Sequence, residues 1–75
     1  MKKISKNIKY LRDSKGFSQE TFAEELAISR SRVGSYEEGR SQPPIELLIK
    51  ISDYFKIPID ILVRTDLSKS NNQAF

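Results

Sequence analysis

This sequence of 75 residues contains neither histidine nor cysteine. The commonest general base, the commonest metal ligand, thiolate nucleophiles and disulfides are therefore all excluded. What remains is charge and hydrogen bonding. The densest arrangement of that kind is Arg30-Ser31-Arg32, followed by Ser35. A guanidinium presents a planar fork of donors that matches a phosphate or the N7/O6 edge of guanine, while a serine hydroxyl both donates and accepts. Arginines at an exposed helix start are ordinarily solvated charges, so their meaning depends on the elements that carry them.

Formal net charge is +3, and it is unevenly placed. Residues 1–40 hold nine Lys/Arg against six Asp/Glu, whereas residues 41–75 hold four of each. The excess belongs to the N-terminal half, as a solvated face or as a phosphate-facing surface. Met1-Lys2-Lys3 begins like a signal peptide, but Ser5, Lys6, Asn7 and Lys9 interrupt the apolar residues that follow. No run approaches the roughly 20 apolar residues of a membrane span. The expectation is a cytoplasmic chain without a membrane, a metal or a cofactor. Without a Gly-rich phosphate loop, an enzyme is the least supported class.

Apolar residues recur with helical period in five short segments. Ile4, Ile8 and Leu11 mark the first, over about 4–14, ended by Gly16. Ser18 is a candidate N-cap for the second, Gln19–Leu26, in which Phe22, Ala23 and Leu26 face inward. Ser29 opens the third, running through Glu37 with Val33 and Tyr36 on one side and Gly39 at its close. Pro44 and Pro58 suit the first positions of a fourth and a fifth helix. The fourth carries Leu47, Leu48, Ile51, Tyr54 and Phe55; the fifth carries Ile59, Ile61 and Leu62. From about Thr65 the composition turns polar. The predicted organisation is an all-α domain over 1–64 and a polar tail, frayed or a linker, over 65–75. The aromatics Phe17, Phe22, Tyr36, Tyr54 and Phe55 read as core, and Lys2, Lys3, Lys6 and Lys9 as solvated.

Two helices joined by Ala27-Ile28-Ser29 suggest a helix-turn-helix, and residue types at fixed offsets strengthen that reading. Ala23 is small where the helices must cross closely, and Val33 is apolar where the third helix must pack back on the second. The run Phe17-Ser18-Gln19-Glu20, Ala23 to Ser29, Val33 to Arg40, then Pro43, Leu47 and Ile51 resembles the phage repressor/Cro-type helix-turn-helix family, lambda-repressor-like or XRE-type. The resemblance covers roughly residues 4–63, including the closing Ile57 to Leu62 segment.

That resemblance implies a compact five-helix domain that binds double-stranded DNA as a homodimer and regulates transcription, most simply as a repressor. Arg30, Ser31, Arg32 and Ser35 match positions facing base edges or flanking phosphates. Gln19, Ser29, Gly39, Arg40 and Gln42 match positions beside the sugar-phosphate backbone. Arg12 and Glu37 match an internal ion pair. Either Arg30 or Arg32 is the main guanine reader, and the sequence does not choose between them. Ile57, Ile59, Ile61 and Leu62 form an apolar set in which part covers the core and the surplus is a candidate dimer surface. Three departures stand out. Ala27 replaces the family's usual glycine, which costs about 1–2 kcal/mol in a left-handed turn unless the turn differs. Gly34, inside the third helix, either permits close approach to DNA or is merely tolerated. Glu38 places an unpaired negative charge near the expected DNA side. Two other readings compete: an antitoxin or adaptor of the same fold whose main partner is a toxin or other protein, and one domain of a longer regulator.

Overall fold

Ile4, Ile8 and Leu11 recur at the spacing of one helical face, and all three are buried. They belong to a helix, α1, spanning Lys2–Ser14 in a computed structural model that describes residues 2–69. It is followed by α2 (Gln19–Leu26), α3 (Arg30–Glu37), α4 (Ile45–Phe55) and α5 (Ile59–Arg64). The described residues contain no strand, and the molecule is an all-α, five-helix domain. One core joins the α1 stripe to Phe22, Ala23 and Leu26 of α2, Val33 and Tyr36 of α3, Leu47, Leu48 and Ile51 of α4, and Leu62 of α5. Helix α1 starts ahead of the expected Ile4. Pro44 and Pro58 are N-caps rather than first helical residues, with extended ψ of 162° and 144°. A proline's fixed φ suits either position, so the helices begin one residue later at Ile45 and Ile59.

Four of the helices end in the same way. Beyond α1, α2, α3 and α4 stand Gly16, Ala27, Gly39 and Lys56, with φ of 72°, 59°, 75° and 59°. After each, the next amide reaches back across the last turn: Phe17 to Arg12, Ile28 to Ala23, Arg40 to Ser35 and Ile57 to Ser52, at 2.9–3.2 Å. These are Schellman closures, which leave the helix through one left-handed residue. The turn between α2 and α3 is therefore left-handed at Ala27 (φ 59°, ψ 42°), and the strain is present. A lysine nitrogen adds to that end of α2, Lys50 Nζ donating to Leu26 O at 2.9 Å.

The folded chain continues beyond the expected boundary at residue 64. Leu67 is fully buried, and so is Asn7, which sits between Ile4 and Ile8 on the inner side of α1. The Asn7 amide donates to Leu62 O at 2.7 Å and to Thr65 O at 2.6 Å, while its oxygen accepts from Leu67 N at 3.0 Å. The stretch after α5 thus finds backbone partners inside the molecule through one side chain. The rest of the expected tail, 70–75, lies outside the described residues.

Two stability effects are expected. Ala27→Gly should stabilise the domain by about 0.5–1 kcal/mol, because relief of left-handed strain outweighs the freer unfolded chain. A thermal melt should show this as a Tm rise of a few degrees. Asn7→Ala strands two carbonyls and an amide and should lower stability by about 3 kcal/mol in equilibrium denaturation. An unchanged midpoint would mean that Leu67 alone holds the segment.

Candidate nucleic-acid interface

Helix α3 has little intrinsic tendency to form, with Gly34, Val33 and two serines among its eight residues. Its cap and its packing fix it. Ser29 is the N-cap, its Oγ accepting from Arg32 N at 3.3 Å and lying 3.2 Å from Ser31 Oγ. Val33 and Tyr36 are buried against the rest of the core. Gly34 is buried too, and a Cβ there would stand 3.7 Å from Gln19 Oε1. The missing side chain therefore faces α2 rather than the open side of α3, and alanine would make only ordinary contact.

Glu37, at the end of α3, is the hub of the site. Its side chain is 5% exposed and accepts from Arg12 Nε at 2.6 Å on one oxygen. The other oxygen takes Arg12 Nη2 at 3.2 Å and the Gln19 amide at 3.0 Å. Arg12 also donates to Phe17 O at 2.8 Å. These bonds tie α1, the α1–α2 turn and the start of α2 to α3. The hydrogen bonds that Arg12 donates to Glu37 raise the Arg12 pKa further, against the opposing effect of burial. Gln19 is accordingly not a loose side chain: one of its donors is committed inward.

The outward residues are arranged differently. Arg30 and Ser31 are exposed in the first turn of α3. Arg32 is exposed but folded along its own helix, with Nε and Nη2 donating to Tyr36 Oη at 3.0 and 2.6 Å and its guanidinium 5.6 Å from the ring centroid. Ser35 Oγ lies 2.8 Å from Ser41 Oγ, which joins the end of α3 to the following loop. In that loop Gly39 supplies the left-handed turn, Gln42 is exposed, and Arg40 pairs with Glu38 at 2.8 Å. Glu38 is therefore not the unpaired repulsive charge expected from the sequence. Of the five arginines, Arg12, Arg40 and Arg64 are each ion-paired to a carboxylate. Arg30 and Arg32, both at the head of α3, have no such pair among the described residues.

The apolar set near the C-terminus separates as well. Ile57 and Leu62 are 2% and 0% exposed and belong to the core, so neither is a surface for a second copy. Ile59 and Ile61 keep partial exposure. Among the described residues the large apolar side chains left most open are Ile45 and Ile49, one turn apart on α4. The Tyr36 hydroxyl and Ser41 were also missed, although Arg32 and Tyr36 stand at the i, i+4 spacing at which helical side chains meet. No described helix is long and apolar enough to cross a membrane.

Comparison with known proteins gives the family and the fold. A family model described as Helix-turn-helix matches residues 8–62. The SPbeta prophage-derived uncharacterized HTH-type transcriptional regulator YonR of Bacillus subtilis is 36% identical over 61 residues, covering 81% of this chain and 56% of that protein. The HTH-type transcriptional activator BcrR of Enterococcus faecalis is 35% identical over 60 residues, covering 80% of this chain and 29% of that protein. The chain thus spans little more than half of one relative and under a third of the other. A crystal structure of a transcriptional regulator from Listeria innocua superposes with a TM-score of 0.74 at 31% identity, covering 91% of this chain and 69% of that one.

The hub yields a stability prediction. Glu37→Ala leaves the largely buried Arg12 with only the exposed Asp13 carboxylate, 3.4 Å away, and should cost about 3 kcal/mol in urea denaturation. Replacing both partners by apolar residues, Arg12→Met with Glu37→Leu, should recover most of that loss. Failure of the double variant to recover would show that the pair's own attraction, rather than an orphaned charge, supports the fold.

Proposed function

Because this chain belongs to the lambda-repressor-like helix-turn-helix family of transcriptional regulators, we propose that it is a sequence-specific duplex-DNA-binding regulator with α3 as its major-groove helix. The observation that carries this reading is the pair of arginines at the head of α3, left without carboxylate partners among the described residues while the other three are ion-paired. An α-helix fits the major groove, and its first turn is the part that meets base edges. Arg30 and Ser31 stand there exposed. Gln19, Ser29, Gly39, Arg40 and Gln42 flank them as candidates for the sugar-phosphate backbone, and Ser35 lies one turn further along α3.

The regulator acts in the cytoplasm as a homodimer on an inverted repeat, without cofactor or enzymatic activity. Ile59 and Ile61, the part of the apolar set left partly exposed, are the proposed contact between copies. Repression is the simplest output, since a domain that occupies a promoter excludes other proteins from it. The domain proper is taken to be residues 1–64 together with the segment clamped by Asn7. Regulation by a protein partner such as a toxin has no observation of its own in its favour.

Selection from a randomised duplex library, at low and near-physiological salt, tests the proposal. An enriched inverted repeat with half-sites about 34 Å apart should survive the higher salt. Weak binding without enrichment, lost as salt rises, would reduce the protein to a basic surface.

A further inference from the structure

We propose that the two free arginines of α3 have different ligands: Arg30 reads a guanine edge, and Arg32, held in place by the Tyr36 hydroxyl, binds a backbone phosphate. The inference rests on the DNA-binding reading above and assigns roles within that site.

The two side chains differ in what restrains them. Arg30 is the first residue of α3, fully outside, and makes no hydrogen bond or ion pair among the described residues. All five of its donors are available in the turn that enters a groove first. Arg32 has lost that freedom. Its Nε and Nη2 both point at one oxygen, Tyr36 Oη, at 3.0 and 2.6 Å, and the cation lies over the same ring. Tyr36 is itself buried in the core, so this anchor does not swing with the side chain. The Nε/Nη2 edge is thereby spent, and the side chain is held along α3 toward Tyr36, one turn further on, which leaves Nη1 and the second Nη2 hydrogen free.

That direction leads away from the tip of α3. Arg32 lines a groove of about 270 Å³ between α3 and α4, shared with Ile28, Pro44, Glu46, Leu47 and Lys50. Two cations against one carboxylate leave the groove positive. Lys50 donates to Leu26 O at 2.9 Å, which holds its charge at the groove. A positive groove beside the recognition helix, holding a pre-set guanidinium fork, suits a phosphate, which accepts two donors and carries the charge to be matched. A base edge at the floor of the major groove requires an arginine that extends from the helix tip, which is the condition of Arg30.

Salt dependence separates the two roles. A phosphate contact weakens all sequences equally and contributes about 0.9 to the slope of log affinity against log salt, whereas a base contact changes the preference among sequences. With duplex selected by the wild-type protein and a random duplex of equal length, Arg30→Ala should reduce preference for the selected site about tenfold to a hundredfold at one base pair. Its loss on random duplex should be smaller. Arg32→Ala, and Arg32→Gln, which keeps the aliphatic stem on Tyr36, should weaken both duplexes by the same factor and reduce the slope by about 0.9 per protomer. Tyr36→Phe keeps the buried ring. It should weaken both duplexes in the wild-type background and have no further effect when Arg32 is already alanine. A purely structural role for the hydroxyl would persist in that double variant and would overturn its positioning role. A base preference relaxed by Arg32→Ala, or an unchanged salt slope, would overturn the phosphate assignment. If the wild-type protein enriches no sequence, sequence-specific reading and the Arg30 role both fail, while the slope on random duplex still decides the role of Arg32.

Discussion

The Glu37 carboxylate is nearly sealed from solvent, and the placement of three helices follows from satisfying it. A buried charge without partners is far too costly to persist, so its acceptors must be filled by groups with a fixed approach. Arg12 supplies a two-point contact from α1, and Gln19 supplies an amide from the first turn of α2. Once these are in place, α3 can neither rotate about its axis nor slide along α2 without losing them. Apolar packing at Val33 and Tyr36 adds energy but is tolerant of small shifts. Directional bonds are not. An apolar replacement of the pair can match its stability, yet it would leave the Gln19 amide without its anchor at the edge of the binding surface.

The helix ends show the same economy of means in a chain short enough for a single core to be marginal. Each of the first four helices closes through one left-handed residue, and the closures set the directions in which the next helices leave. Two of those residues are glycines, and two are Ala27 and Lys56, which carry strain. At Ala27 the strained residue is the hinge of the turn between α2 and α3. The apolar side chain after it, Ile28, packs on the core and helps hold the conformation against that strain. Asn7 does for the last segment what the closures do for the helices: it gives otherwise stranded backbone groups fixed partners.

Much of this was legible in the sequence where one residue type has one structural meaning. Ser18 and Ser29 as N-caps, Gly16 and Gly39 as closures, and the apolar spacing of α1 place the helices to within a residue or two. Legibility failed where the meaning comes from the tertiary partner. Lys56 gives no sign of a left-handed φ, because only its surroundings enforce one. Asn7 read only as one of the polar residues that break up an apolar run, since nothing local shows that three backbone groups some sixty residues away need a polar partner. Ile57 and Leu62 could not be told from Ile59 and Ile61 by period in so short a helix. On the proposed binding face, residue types identified the arginines, but not the asymmetry between them. That asymmetry depends on the Tyr36 hydroxyl, which a reading of tyrosine as core overlooks.

The division between frame and face also explains how a helix of eight residues can carry the proposed recognition surface. Helices this short are unstable alone, so α3 exists because its inner side is held by Val33, Tyr36, Glu37 and the Ser29 cap. None of those groups points outward from the first turn. Arg30 and Ser31 contribute little to the fold: they bury no apolar surface, cap no helix and pair with no carboxylate. The fold therefore leaves their identities free to be set by a partner outside the molecule. Arg32 stands between the two conditions, exposed like a contact residue yet bonded to the core through Tyr36. A side chain restrained in this way loses less freedom when a partner arrives, at the expense of the freedom to choose among partners. That trade suits a contact to something present at every site, such as a phosphate, and not one that must distinguish one base from another.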